Sequence, residues 1–442
     1  MIGAPGTIPY LQLLDERGQP TGPLPAFATD AGQLQAMYRV MMLARVFDTK
    51  AVNLQRTGRL GTYPSCLGHE ATHVGIGAAL RPEDAIFPVY REIGTKFWRG
   101  ITPLEILLFW GGDERGSDYA KSRHDFPFCV PIGSQLPHGA GAALAFQLRR
   151  EPRCALAYIG DGGTSQGAFY EAINFAGARS LPLVTVVVNN GWAISVPVSA
   201  QTRAETLAHK ALAAGIPGVQ VDGNDLLAVR HVVEGALARG RAGAGPTLIE
   251  ALTYRLSDHT TADDASRYRP AAEVEAARAK EPMLRTRKYM ESLGAWDEAR
   301  EQALKAECAQ QVEAAVAAYL ASPAPGTDAM FDHVYAELPR GLDLGRRAIA
   351  RGVVGGGVVG KAVGERLDQR RPGAGAPAGQ RALDHVAHGQ QVVAIDLHAR
   401  DAGRQRLVGQ RLGTCLRAHR HRDRPAVVDH HGDQRQRAGA GE

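Results

Sequence analysis

The 442-residue chain has few cysteines, few aromatic residues and no long apolar run, and each shortage removes a class of protein. Its five cysteines (Cys66, Cys129, Cys154, Cys308 and Cys415) contain no C-x-x-C pair, so neither a disulfide framework nor a zinc site is indicated, and buried thiols are expected. No stretch approaches the roughly 18 to 20 uninterrupted apolar residues that span a bilayer. The start, "MIGAPGTIPYLQLLDERG", lacks the basic residues and apolar run of a signal peptide. A cytoplasmic protein without membrane contact is expected.

The aromatic shortage is uneven. From residue 341 to the end there is no Phe, Trp, Tyr, Met, Ser or Asn, while Arg, Gly, His and Gln abound. A segment without aromatics builds a core with difficulty, so disorder or poor order is expected there. The formal charge of +5 belongs to this tail, which holds 17 Arg and one Lys against ten acids, whereas residues 1–340 carry 33 basic and 36 acidic side chains. A nucleic-acid-binding reading needs a folded basic surface with aromatic or helical readers, and the tail has neither. Two further tail motifs are decoys. "GGGVVGKA" (355–362) begins like a P-loop but places Ala362 where Ser or Thr should bind magnesium. "HRHRDRPAVVDHH" (419–431) shares the bias of its surroundings.

What remains is a globular body with α/β patterning. Residues 1–30 are rich in Pro and Gly and read as an arm over the surface. "AGQLQAMYRVMMLARVFDTKAVNLQRTG" (31–58) has helical periodicity and stops at Gly58. Residues 69–148 read as mostly helix and loop. "CALAYIG" (154–160) and "LPLVTVVVN" are short continuous apolar runs joined by the helical "TSQGAFYEAINFAGA", a βαβ unit whose strands are covered on both faces. "GVQVDG" (218–223) and "PTLIEALTYR" (246–255) supply further strands around "DLLAVRHVVEGALARGRA". The fold class is a doubly wound parallel α/β sheet. Its expected divisions are an arm (1–30), an α/β domain (31–270), a helical region (271–338) and the atypical tail (339–442).

Parallel sheets bind ligands at the carboxyl ends of their strands. Asp161 sits at such an end, flanked by Gly160, Gly162 and Gly163, which let the backbone approach an anion closely. Asn190, 29 residues on, ends the next strand. A carboxylate and an amide oxygen suit a small divalent cation that also takes water, carbonyls and phosphate. Two arrangements fit the spacing: a shared magnesium site, or Asp161 as a helix cap with "NNG" as a turn.

"GDGGTSQGAFYEAINFAGA…VVNNGWAIS" resembles the thiamine diphosphate motif. Together with "GRLGTY", "GHEATHVGIGAAL", "YREIG", "PIGSQLPHGAGAALA", "QTRAETLAHKALAAGIPGVQVDGND", "GPTLIEALTYR" and "HTTADDASRYR", it is similar, from about residue 10 to 338, to the alpha subunits of the decarboxylating component of 2-oxoacid dehydrogenase complexes. The resemblance implies a thiamine diphosphate-binding fold and the cofactors thiamine diphosphate and Mg2+. Asp161 and Asn190 would bind Mg2+ by side chain and Trp192 by its carbonyl. Gly162 and Gly163 would line the diphosphate, and Tyr90 and Arg91 would reach the phosphates, Arg91 with a fork suited to paired oxygens. Ile132 would lie under the bent cofactor with Val130 adding backbone contacts. His259 would work on protons beside the reactive ring, its near-neutral pKa suiting it to the task. Thr260 lies where some relatives carry a phosphorylated serine, and Val188 departs from a phosphate-binding Arg of others.

The implied reaction is oxidative decarboxylation of a 2-oxoacid with acyl transfer to the lipoyl group of an acyltransferase component. The implied partner is a beta subunit in an α2β2 assembly, which would supply the activating glutamate, so this chain alone is expected to be inactive. "GDGGTSQGAFYE", "AAGIPG" and "GPTLIEALTYR" favour pyruvate as substrate, while "VDGND" and "DHTTADD" also occur in branched-chain relatives.

Overall fold

The computed structural model describes residues 7–326, 329–331 and 335–350. In chain order the elements are β1 (Tyr10–Leu11), α1 (Ala31–Arg56), α2 (Glu70–Ala79), β2 (Ala85–Phe87), α3 (Ile93–Trp98), α4 (Pro103–Trp110), α5 (Gln135–Leu148), β3 (Ala155–Gly160), α6 (Gly167–Arg179) and β4 (Leu183–Asn189). A small hairpin follows, β5 (Trp192–Ala193) and β6 (Val196–Pro197), then α7 (Val198–Gln201), α8 (Lys210–Ala213), β7 (Gly218–Asp222), α9 (Leu226–Arg241) and β8 (Thr247–Leu252). Helices α10 (Ala271–Arg278), α11 (Pro282–Ser292) and α12 (Glu298–Ala321) complete the first compact unit, residues 1–329. No helix among the described residues is long and apolar enough to cross a membrane.

Local chemistry sets the boundaries. Asp30 caps α1 by accepting from the Gln33 N–H, and Gly58 follows its end at φ +71°, a conformation only glycine adopts freely. The βαβ unit forms where expected, with β3 and β4 side by side and Gly160 in register with Val188. Six parallel strands make the main sheet in the order β1-β7-β8-β4-β3-β2. Alternation along the strands explains the continuous apolar runs. Val184, Val186 and Val188 of β4, with Leu156 and Tyr158 of β3, pack into the core that contains α1, α2 and α9. Leu183, Val187, Ala157 and Ile159 face the core built on α5 and α6. Both faces of the sheet are covered, as a doubly wound fold requires.

One expectation needs correction. The N-terminal segment is more than a surface arm: β1 adds an edge strand parallel to β7, and the N–H groups of Leu13 and Leu14 donate to Asp225 at 2.7 and 2.6 Å. Within the mostly helical stretch 69–148, β2, three residues long and buried throughout, pairs with β3. Near the start of the tail is a helix, α13 (Arg340–Ala350). Asp343 pairs with Arg346 and Arg347 one turn on, at 3.1 and 2.8 Å, which supports a helix locally. The rest of the expected disorder, both decoy motifs and Cys415 lie outside the described residues. Cys66, Cys154 and Cys308 are buried free thiols, and Cys129 is half-buried.

Candidate functional site

The carboxyl ends of β3, β4 and β8, the loop after β2 and the start of α2 surround a cavity of about 620 Å3. Tyr90, Arg91, Val130, Ile132, Asp161, Gly162, Gly163, Asn190, Trp192 and His259 all line it, and so do Thr260 and Val188. The fold therefore brings together every residue singled out from the sequence.

Asp161 and Asn190 leave the carboxyl ends of adjacent parallel strands inside the sheet. Asp161 is buried, which pushes its carboxyl pKa up, and it makes no capping bond to the turn that follows it, so the capping alternative fails. Its Oδ2 instead accepts from Gln201 Nε2 at 2.7 Å. "NNG" is a turn, with Gly191 at φ +87°, yet Asn190 also faces the cavity and takes the Trp192 N–H at 3.2 Å on its Oδ1. The glycines after Asp161 are sterically required: a Cβ on Gly162 would come within 2.4 Å of Ala193 Cβ, and one on Gly163 within 2.4 Å of Ile159 Cδ1 and 3.0 Å of Ile132 Cγ2. Bare backbone therefore forms this wall. Val130 and Ile132 remain 52% and 36% exposed, an apolar surface presented to the cavity.

Two guanidiniums also line the cavity. Arg91, 7% exposed, donates to the Ser65 carbonyl and, at 2.9 Å, to the His259 carbonyl. Arg255, fully buried, donates to the Trp192 carbonyl at 3.2 Å, the Ile194 carbonyl at 2.7 Å and Tyr268 Oη at 3.1 Å. Both guanidiniums also reach His259 Nδ1, at 3.4 and 3.3 Å. A guanidinium only donates, so Nδ1 must be the acceptor and the imidazole proton sits on Nε2. Burial first, then the charges of Arg91 and Arg255, lower the His259 pKa to about 4. The near-neutral pKa expected for this residue is corrected: His259 is a neutral imidazole at pH 7. Its loop is held by Asp263, which accepts the His259 N–H at 2.9 Å and bonds the Tyr268 hydroxyl.

Sequence reasoning missed four contributors. Arg255 follows β8 and was read only as part of a strand. Gln201 gave no signal. His69 and His73 lie in "GHEATH", which matches the H-E-x-x-H zinc pattern on a helix. Both imidazoles are fully buried and line the cavity, their ring centroids are 5.5 Å apart, and no ring nitrogen has a partner. Burial drives the pKa of His69 well below its ordinary value and that of His73 to about 3, so both are neutral. A zinc peptidase site is nevertheless ruled out by chemistry. Glu70 is tied to Arg45 at 2.7 Å and to the Gly68 N–H at 3.0 Å, and Arg91 and Arg255 place positive charge beside the pair. Among the described residues no group of three His, Cys, Asp or Glu is placed to hold a metal.

The cavity thus offers hard oxygens (Asp161, Asn190 and the Trp192 carbonyl), a side-chain-free backbone wall, an apolar ledge at Ile132 and two guanidiniums. That donor set fits a phosphorylated ligand carrying a divalent cation.

A family profile described as "Dehydrogenase E1 component" matches residues 38–327. The chain is 44% identical over 316 residues to the 3-methyl-2-oxobutanoate dehydrogenase subunit alpha of Mycobacterium tuberculosis, covering 72% of this chain and 86% of that protein. It is 39% identical over 334 residues to the pyruvate dehydrogenase E1 component subunit alpha of Staphylococcus aureus, covering 75% and 90%.

Proposed function

The chain belongs to the dehydrogenase E1 component family, as the alpha subunit of a 2-oxoacid dehydrogenase, and from that premise we propose that its cavity holds the diphosphate end of thiamine diphosphate with Mg2+, in an enzyme acting on pyruvate. The observation that carries this reading is the convergence of Asp161 and Asn190 beside Gly162 and Gly163, whose backbone leaves no room for a Cβ.

In this reading Asp161, Asn190 and the Trp192 carbonyl hold the cation, the Trp192 carbonyl sharing its lone pairs with Arg255. Gly162 and Gly163 admit the diphosphate to backbone contact, Tyr90 and Arg91 neutralise it, and Ile132 supports the cofactor from below. When bound, the cofactor supplies the electron sink for decarboxylation. His259 contributes a neutral Nε2–H, fixed in that tautomer by the two guanidiniums on Nδ1, and so holds a proton ready to donate beside the reacting atoms. Where some relatives carry a phosphate-binding Arg this chain has Val188, so charge neutralisation rests on Arg91 and the cation.

Alpha subunits of this family work with a beta subunit and an acyltransferase component. An α2β2 assembly with the activating glutamate on the beta chain, and the lipoyl domain of the acyltransferase as acyl acceptor, complete the reading. Pyruvate is supported by "GDGGTSQGAFYE", "AAGIPG" and "GPTLIEALTYR". A second reading, with 3-methyl-2-oxobutanoate as substrate, is favoured by the 44% identity to the Mycobacterium subunit. Rates with the two 2-oxoacids, measured on the chain reconstituted with its beta subunit, separate them. Faster turnover of pyruvate is expected, and faster turnover of the branched acid would reverse the assignment. The isolated chain is expected to decarboxylate neither, and decarboxylation by it would refute the shared site.

A further inference from the structure

Gln201 stands where the two chain segments that carry the candidate oxygens meet. Its side chain leaves the end of α7, and Nε2 donates both to Asp161 Oδ2 at 2.7 Å and to the Val196 carbonyl at 2.9 Å. Val196 pairs with Ala193 in the hairpin that begins at Trp192. One amide therefore ties the Asp161 turn to β6, the hairpin partner of the strand that presents the Trp192 carbonyl. The other end of the amide, Oε1, is buried without a partner, 3.7 Å from the position a Cβ on Gly162 would take. A carboxylate has two oxygens, so engagement of Oδ2 by Gln201 fixes the plane of Asp161 while leaving Oδ1 for a ligand. Hydrogen bonds of this kind to a ligating carboxylate set its orientation and tune what it binds.

We propose that Gln201 is a positioning residue of the cation–diphosphate site, holding the Asp161 carboxylate and the Trp192 hairpin together so that their oxygens are in place before the ligand arrives. The proposal rests on the thiamine reading above. Loss of the amide therefore leaves a carboxylate that is free to turn and a hairpin no longer tied to it.

The test is calorimetry of Mg2+-dependent thiamine diphosphate binding by the chain co-purified with its beta subunit, together with hydrogen exchange of residues 192–197 in the ligand-free complex. Gln201→Ala is expected to weaken binding by roughly 10- to 100-fold and to speed exchange in the hairpin. Gln201→Glu keeps the side-chain length but loses the Nε2 donor and is expected to weaken binding likewise. Binding by Gln201→Ala within about two-fold of wild type, or unchanged exchange in the hairpin, would overturn the proposal. Failure of the wild-type complex to bind at any pH would instead overturn the thiamine reading, and this inference with it, and the wild-type control distinguishes the two failures.

Discussion

Two hollows of similar size lie on the same unit and treat charge in opposite ways. In the groove among α1, α11 and α12, about 560 Å3, three lining cations are paired: Arg45 bonds the lining Glu281 at 2.6 Å, Lys50 bonds the lining Glu313 at 2.5 Å, and Arg287 bonds Glu291 and Glu298 beyond the lining at 2.8 and 2.7 Å. The cavity at the strand ends keeps buried polar atoms in want of partners, among them all four ring nitrogens of His69 and His73 and Arg255 Nε. An unpaired buried polar group costs roughly 1–3 kcal/mol, so a fold tolerates several together only where something else satisfies them. The contrast between paired charge in the groove and unpaired polar atoms in the cavity can be tested from both sides.

The largest effect is expected at Asp161. Asp161→Ala removes the only carboxylate on the oxygen wall, and Mg2+-dependent thiamine diphosphate binding by the reconstituted enzyme should weaken by more than about 100-fold, with a matching loss of decarboxylation. Retention of binding would break the contrast. A smaller effect concerns pH. His69, His73 and His259 have folded pKa values depressed below the ordinary 6.5, the latter two to about 3 and about 4. Unfolded chains take up protons below pH 6.5 that the folded protein refuses, so these groups lend stability above 6.5 that is lost as pH falls toward 4. The buried carboxyls of Asp48, Glu92 and Asp161, whose pKa values are raised, act in the opposite direction. His73→Gln removes one imidazole contribution, so the variant should gain stability relative to wild type as pH drops, by up to about 1.4 kcal/mol per unit, measured by denaturant titration at pH 7.5, 6 and 5. The smallest effect belongs to the groove: Lys50→Ala cuts a partly exposed pair and should change stability by no more than about 1 kcal/mol with activity unaltered.

The same contrast explains what the sequence could disclose. The βαβ unit was legible because its strands are long enough to show continuous apolar runs and its helix shows a clear period, so the fold class followed. Asp161 and Asn190 were legible because a glycine run and a tandem amide stand out against apolar surroundings. β1 and β2 span two and three residues, too short for any period, and are strands only because β7 and β3 pair with them. His69, His73, Gln201 and Arg255 come from α2, α7 and the end of β8, and each alone is an ordinary polar residue. Their partnership is a product of packing, and so is the neutral state of His259, which follows from burial first and then from guanidiniums 168 and 4 residues away. A near-neutral histidine is a sound expectation for the isolated side chain and fails beside two buried cations.

Asp225 shows how much one acid can hold. It is fully buried; its Oδ1 accepts from Leu227 and Ala228 at the start of α9, while its Oδ2 accepts from Leu13 and Leu14 beyond β1. For anyone shortening or tagging the protein, this sets a boundary in the first turn of the chain. Trimming through Leu14 would strip two donors from a sealed carboxylate and leave β7 as a bare strand edge, open to pairing with other chains, so the cost of a small deletion would appear as insolubility before it appeared as lost catalysis.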